Sequence, residues 1–195
     1  MMMLQPQCRV LSVQIGRALP LQMGDRTVLS GIGKQAVEGP VAVNKLGLDG
    51  DEQADLTVHG GLSKAVYAYP AEHYPFWREQ RSARGLSTEL PYGTLGENLT
   101  LTGLLESMLY VGDRLCFPDC TLRVTQPREP CDKFNAVMGD SKAAKKMVQS
   151  GFCGFYLAVE STGSIMAGQS FVVEPGQRQL PIMALFKKAK ATLID

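Results

Sequence analysis

The chain has 195 residues, 45% of them hydrophobic and 20% charged, with a formal net charge of +1. That length holds one large domain or two small ones with a real core, and that composition argues against global disorder. The near-neutral charge excludes an overall basic field for nucleic acid, and no run of about twenty apolar residues is present to cross a membrane. Gly and Pro, 20 and 11 residues, are spread along the chain. Many short elements joined by turns follow from that, which favours a β-rich architecture.

In chain order, the start Met1-Met-Met-Leu-Gln-Pro lacks the basic and long apolar segments of a secretory signal. Five cysteines, an odd number, fit a reducing cytosol better than a disulfide framework, so a cytoplasmic location is expected. Residues 9–15 alternate and are β-branched, which predicts a strand. Residues 16–24 read as loop, residues 40–43 as a short strand, and residues 47–51 as a polar turn. Residues 65–69 predict a strand, after which Pro70 starts a helix over 71–81 that Gly85 closes off. Residues 99–102 alternate; residues 115–117 and 121–125 flank Pro118-Asp119 as a hairpin. A short helix over 141–149 ends at Gly151. Strands follow at 155–159 and 169–173, then an amphipathic tail helix over 181–194 with Lys187, Lys188 and Lys190 toward solvent. The expectation is a mainly β domain over 1–180, a closed or nearly closed barrel with a few short peripheral helices, and a tail over 181–195.

The strongest local feature is Gln126-Pro127-Arg128-Glu129-Pro130-Cys131. Proline cannot donate to a β ladder, so the strand ends there and delivers Cys131 onto a stiff turn. Arg128 and Lys133 flank the thiol, and cationic neighbours favour the thiolate that binds metal. The alternative is a buried structural cysteine. A second feature is His59-Gly60-Gly61 followed by Lys64. Paired glycines allow close backbone approach to a ligand, with His59 as a proton or hydrogen-bond donor; the alternative is a plain turn beside an exposed histidine. Third, Gly96-Glu97-Asn98-Leu99 sets a carboxylate and an amide at a strand start, where Asn98 can equally cap the turn. Lys34, Lys45, Lys64, Arg128 and Lys133 could gather around a phosphate or be solvated surface. Cys116 and Cys120 lack the second Cys/His pair of a zinc site, and Gly31-Ile-Gly33-Lys34 is too short for a nucleotide phosphate loop.

The order Gly47-Leu-Asp-Gly-Asp51, Val58-His-Gly-Gly61, Ala65-Val-Tyr-Ala-Tyr-Pro70, Glu72-His-Tyr74, Gly96-Glu-Asn-Leu99, Val111-Gly-Asp113, Gln126-Pro-Arg128 and Pro130-Cys131 resembles the MOSC domain family, in its bacterial YiiM-like branch, from about residue 9 to about residue 175. The resemblance implies a MOSC-type β-barrel that holds a molybdenum cofactor (molybdopterin), with Cys131 as protein ligand to molybdenum. It also carries the family's association with pyridoxal phosphate binding. It implies reduction of N-hydroxylated compounds such as N-hydroxylaminopurine, a detoxification of base analogues. A soft thiolate suits molybdenum. On this reading His59 donates the proton or orients substrate, Asn98 and Arg128 contact cofactor or substrate oxygen, Lys34 and Lys64 meet the cofactor phosphate, and Gly60 and Gly61 let the backbone approach.

Longer members of the family carry a helical region after the MOSC domain, and the tail after Pro181 reads as its remnant. One departure is Phe152, where a basic residue is expected. With no iron–sulfur spacing and no flavin motif in the chain, a separate flavin-type reductase is implied as electron donor. Edge strands leave room for a homodimer; no nucleic-acid or membrane partner is expected. Two alternatives stand beside this reading: a non-catalytic cofactor carrier or sulfur-transfer module, and a metal-free hydrolase using Cys131 and His59.

Overall fold

The computed structural model describes residues 7–54 and 60–192. The strands are β1 (Arg9–Ile15), β2 (Leu19–Met23), β3 (Arg26–Ser30), β4 (Gln35–Ala36), β5 (Val41–Asn44), β6 (Gly47–Leu48) and β7 (Val66–Pro70). Helix α1 (Tyr74–Ser82), β8 (Leu99–Thr102), β9 (Arg114–Cys116) and β10 (Thr121–Pro127) follow. The chain continues through α2 (Asp132–Met138), α3 (Ala143–Ser150), β11 (Phe155–Ser161), β12 (Gly163–Ile165), β13 (Val172–Glu174) and α4 (Ile182–Thr192).

In β1 a register irregularity between Val10 and Ser12 carries both Val10 and Val13 into one core cluster, although their spacing is odd. The main sheet has eight strands in the order β13-β9-β10-β11-β7-β8-β1-β4. Its β7–β8 pair is parallel, and α1 lies in the crossover that such a pair requires. Strand β7 is buried on both sides, as befits its central place: Val66 and Ala68 join an aliphatic cluster with Leu99, Leu101, Leu122 and Leu157, while Tyr67 and Tyr69 join an aromatic one with Trp77, Phe134 and Met147.

The barrel expected from strand spacing is not closed by a continuous ladder. The eight-stranded sheet is open, with β13 and β4 at its ends, beside separate sheets of three and two strands. The tie across the gap is irregular: Val10 N–H donates to Gln169 O (2.9 Å), Gly168 N–H to Val10 O (2.8 Å) and Phe171 N–H to Cys8 O (3.1 Å). For the same reason the strand expected over 169–173 gives way to β13, since residues 168–171 bond to Val10 and Cys8 instead.

Three further expectations change. Residues 16–24 are not all loop, because β2 pairs with β3 across a turn at Gly24, whose φ is 61°. That hairpin buries only Ser30 fully, so it carries no apolar alternation to read. Pro70 ends β7 rather than starting a helix; residues 71–73 form a 3-10 turn, and Pro75 takes the first turn of α1. Helix α2, absent from the sequence reading, begins directly after Cys131. The tail helix is present as α4, with Ile182 and Phe186 packed into the two clusters.

Candidate functional site

An open cleft of about 620 Å³ lies where the end of β3, residues 51–54, the start of β7, the strand-leading turn at Gly96 and the turn after β10 converge. Cys131 sits at its edge. Pro127 closes β10, the Arg128 N–H makes the last tie to the neighbouring strand by donating to Gly154 O (3.3 Å), and the chain then leaves the sheet. Pro130 passes it to Cys131, which is extended (φ −136°, ψ 166°) and occupies the N-cap position of α2, its carbonyl accepting the Phe134 N–H (3.0 Å). None of the five cysteines is in a disulfide, and Cys131 alone of the five lines the cleft. Burial, before any other cause, raises the thiols of Cys8, Cys116 and Cys153, and pushes Cys120 up to about 12. Cys120 and Cys153 are buried, whereas Cys8 and Cys116 are partly exposed, and in all four the raised pKa disfavours the thiolate.

Arg128 is the most telling side chain. It is 4% exposed, yet no carboxylate lies within ion-pair distance among the described residues. Its guanidinium rests over the rings of Tyr67 (5.2 Å) and Phe134 (5.3 Å) and donates to Met147 Sδ (3.5 Å). Burial works against the charged form, but Tyr67, Tyr156 and Cys131 outweigh it and raise the guanidinium pKa. The Tyr156 side chain also accepts from it. A buried cation held by ring faces, a thioether and a phenol, with no carboxylate among the described residues, is compensated only in part.

The other cations differ in their surroundings. Lys34 Nζ is buried and paired with Asp51, whose carboxylate also accepts Gly16 N–H (2.9 Å) and Asn98 Nδ2–H (2.8 Å). Lys34 therefore lines the cleft with its charge already balanced. Lys64 stands over the Tyr156 ring at 5.7 Å, and Lys133 donates to Leu29 O (3.2 Å) at the rim. Lys45 is elsewhere: it donates to the carbonyls of Val159 (3.2 Å) and Glu160 (2.7 Å), so it does not join a phosphate-binding group in this cleft.

Asn98 faces the cleft, but its amide is engaged internally: Oδ1 accepts Tyr67 N–H (3.1 Å), and Nδ2 donates to Gln14 O (3.3 Å) as well as to Asp51. Gly60 lines the cleft at φ 100°, whereas Gly61 at φ 77° caps the following 3-10 turn outside it. His59 lies outside the described residues. Phe152 does not line the cleft either; its ring stacks on His73 with centroids 3.9 Å apart. Sequence reasoning did not single out Asp51, Tyr67 or Tyr156 as site residues. Asp51 had a signal, as the last residue of a polar turn; the tyrosines looked like ordinary strand residues.

Among the described residues, no group of three or more His, Cys, Asp or Glu is placed to hold a metal ion. A metal at Cys131 would therefore bring most of its own ligands, as an organic cofactor does. The cleft fits such a group: it is lined by a soft sulfur donor, by a buried guanidinium with no carboxylate partner among the described residues, and by Lys64 and Lys133. No helix of the described residues is long and apolar enough to cross a membrane.

Residues 55–172 match the MOSC domain. The chain is 38% identical over 166 residues to the uncharacterized protein YflK of Bacillus subtilis, covering 85% of this chain and 73% of that one. It is 38% identical over 138 residues to the protein YiiM of Escherichia coli, with coverage of 71% and 61%. A protein of Gibberella moniliformis named as a reductase is 33% identical over 162 residues, which are 83% of this chain but only 28% of that protein. The crystal structure of YiiM from Geobacillus stearothermophilus superposes with a TM-score of 0.75 at 30% identity, covering 96% of this chain and 86% of that one.

Proposed function

The chain belongs to the MOSC family, and from that premise we propose that its cleft holds a molybdenum cofactor and serves the reduction of small N-hydroxylated compounds. The relatives named YiiM and reductase support an oxidoreductase-type role, and the family is associated with molybdenum cofactor binding. The observation that supports the reading is Arg128: a buried guanidinium with no carboxylate partner among the described residues lines the same cleft as Cys131, which suits an anion.

In this reading Cys131 is the thiolate ligand to molybdenum. Arg128, Lys64 and Lys133 face the anionic part of the cofactor, while Lys34 shapes the wall through Asp51 rather than supplying net charge. Tyr67 and Tyr156 form an aromatic wall that keeps water from the reacting centre. The bound cofactor supplies two-electron oxygen-atom chemistry. Removing the hydroxyl oxygen from R–NH–OH takes two electrons and two protons and yields R–NH2 and water. His59, next in sequence to Gly60 of the cleft wall, is the proposed proton donor. The electrons come from a separate flavin-type reductase.

The test is to produce the protein in a cofactor-competent host and compare it with Cys131→Ala. We expect molybdenum in the first and at least a tenfold loss in the second, since removing a soft ligand from a site with one protein donor costs more than the 10- to 100-fold seen for outer-shell partners. Reduction of N-hydroxylaminopurine with a flavin donor should fall in parallel. Equal metal content in both proteins refutes the ligand assignment.

A further inference from the structure

Arg128 can meet an anion only if its turn leaves the sheet at the right place, and the structure shows what holds that turn. Its last tie is the bond from Arg128 N–H to Gly154 O (3.3 Å). Gly154 is in turn fixed from behind. Its N–H donates to Glu106 Oε1 at 2.7 Å, and its Cα packs so closely on β7 that a Cβ would lie 2.5 Å from Ala68 O. The other carboxylate oxygen of Glu106 bonds to His73 Nε2 at 2.8 Å, and both side chains are buried. His73 stacks on Phe152, whose carbonyl accepts the Tyr69 hydroxyl (3.0 Å); the Cys153 carbonyl accepts the Tyr67 hydroxyl (2.8 Å). Tyr67 is the ring beneath the Arg128 guanidinium. Residues 152–154 thus set both the backbone of Arg128 and the aromatic face under its charge, and Glu106 anchors them without touching the cleft.

We propose that Glu106, braced by His73, is a positioning residue that sets the Arg128 guanidinium for anion binding through Gly154. The proposal rests on the reading of the cleft as an anion site. Glu106 belongs to no motif that the cleft accounts for, and it reaches the site through a single main-chain amide. A charge-assisted bond to that amide is roughly twice as strong as a neutral one.

Titration calorimetry with inorganic molybdate tests it, using the full chain, Glu106→Gln, and Glu72→Gln as control. Glu72 makes a similar bond to Gly103 N–H (2.7 Å) but does not reach Gly154. We expect Glu106→Gln to keep its circular dichroism spectrum and bind molybdate about tenfold more weakly, the difference between a charged and a neutral hydrogen bond to the same amide. Glu72→Gln should bind as the unaltered protein does. A folded Glu106→Gln with unaltered affinity overturns the proposal. No binding by the unaltered protein overturns the anion-site reading instead. Should Glu106→Gln fail to fold, amide exchange on the unaltered protein decides: Gly154 and Arg128 should slow together as molybdate saturates the cleft, and slowing of Arg128 with Gly154 unchanged counts against the linkage.

Discussion

Arg128→Met separates what this arginine does for the fold from what it does for the site. The side chain is 4% exposed and has no carboxylate partner among the described residues. Replacing buried ionic groups by apolar ones of similar volume is often neutral or stabilising, by about 1–4 kcal/mol. Against that stand two ring contacts, at 5.2 and 5.3 Å, each contributing about 0.5–2 kcal/mol. The two effects nearly cancel, so the urea midpoint should correspond to a stability within about 2 kcal/mol of the unaltered protein. Binding carries no such compensation. Removing a buried charge that meets an anion costs about 2–5 kcal/mol, which is at least about thirtyfold in affinity. Urea denaturation and molybdate titration on the same preparation give both numbers. A variant that loses more than about 4 kcal/mol of stability yet binds molybdate normally would show that the guanidinium is structural and does not serve anion binding.

Two further substitutions probe the frame around the site. Burial, first of all, raises the Glu97 carboxyl above its ordinary 4.5, against hydrogen bonds from Tyr74, Gly93 and Thr100. Because the folded-state pKa is raised, the folded state holds this proton longer than the unfolded one, and the associated stability is lost as pH rises through the folded value. Glu97→Gln should flatten that fall, read as urea midpoints between about pH 4 and pH 8; an unchanged slope would refute the assignment. Phe152→Lys restores the basic residue expected from the family resemblance, but here the ring stacks on His73 and meets Phe76 edge-on (5.3 Å). We expect a loss of about 1–3 kcal/mol in urea denaturation with no gain in molybdate affinity. Tighter binding would show that the lysine reaches the cleft.

What could be read from the sequence depended on range. Cys131 was legible because Pro127 and Pro130 announce their effect locally: no ladder donors, so the strand ends and the thiol leaves the sheet. The hairpin of β9 and β10 was legible for the same reason, its turn being marked by Pro118-Asp119. Helix α2 was not, since seven residues with Phe134 and Met138 as their buried positions are too few to display a period. The hairpin of β2 and β3 hid because it has almost no buried face. The burial of Arg128 was invisible in principle. Arginine is usually exposed, and what encloses it comes from Tyr67 and Met147, remote positions that only the folded chain brings together. The balancing of Lys34 by Asp51 is likewise a contact across 17 residues.

Four acidic residues of the recognised motifs share one task that their positions alone did not disclose. Asp51 accepts the N–H of Gly16, Glu72 that of Gly103, Glu97 that of Gly93, and Asp113 that of Gly176. Glu106, outside the motifs, does the same for Gly154. Glycine is the residue that can turn its amide out of a ladder and let another chain approach without a Cβ in the way; at Gly176 a Cβ would lie 2.6 Å from the Gly112 carbonyl. An amide so placed needs an acceptor, and a carboxylate supplies a strong one. A fold with an open sheet and many short strands thus gains rigid corners where regular pairing ends. Two of these corners, Asp51 at Gly16 and Glu106 at Gly154, lie next to cations of the cleft in different ways: Asp51 pairs with Lys34, whereas Glu106 bonds the glycine whose carbonyl accepts the Arg128 N–H and makes no ion pair with Arg128. Among the described residues, that difference leaves Arg128 without a carboxylate in the cleft that Cys131 also lines, and the proposed anionic cofactor would use that charge.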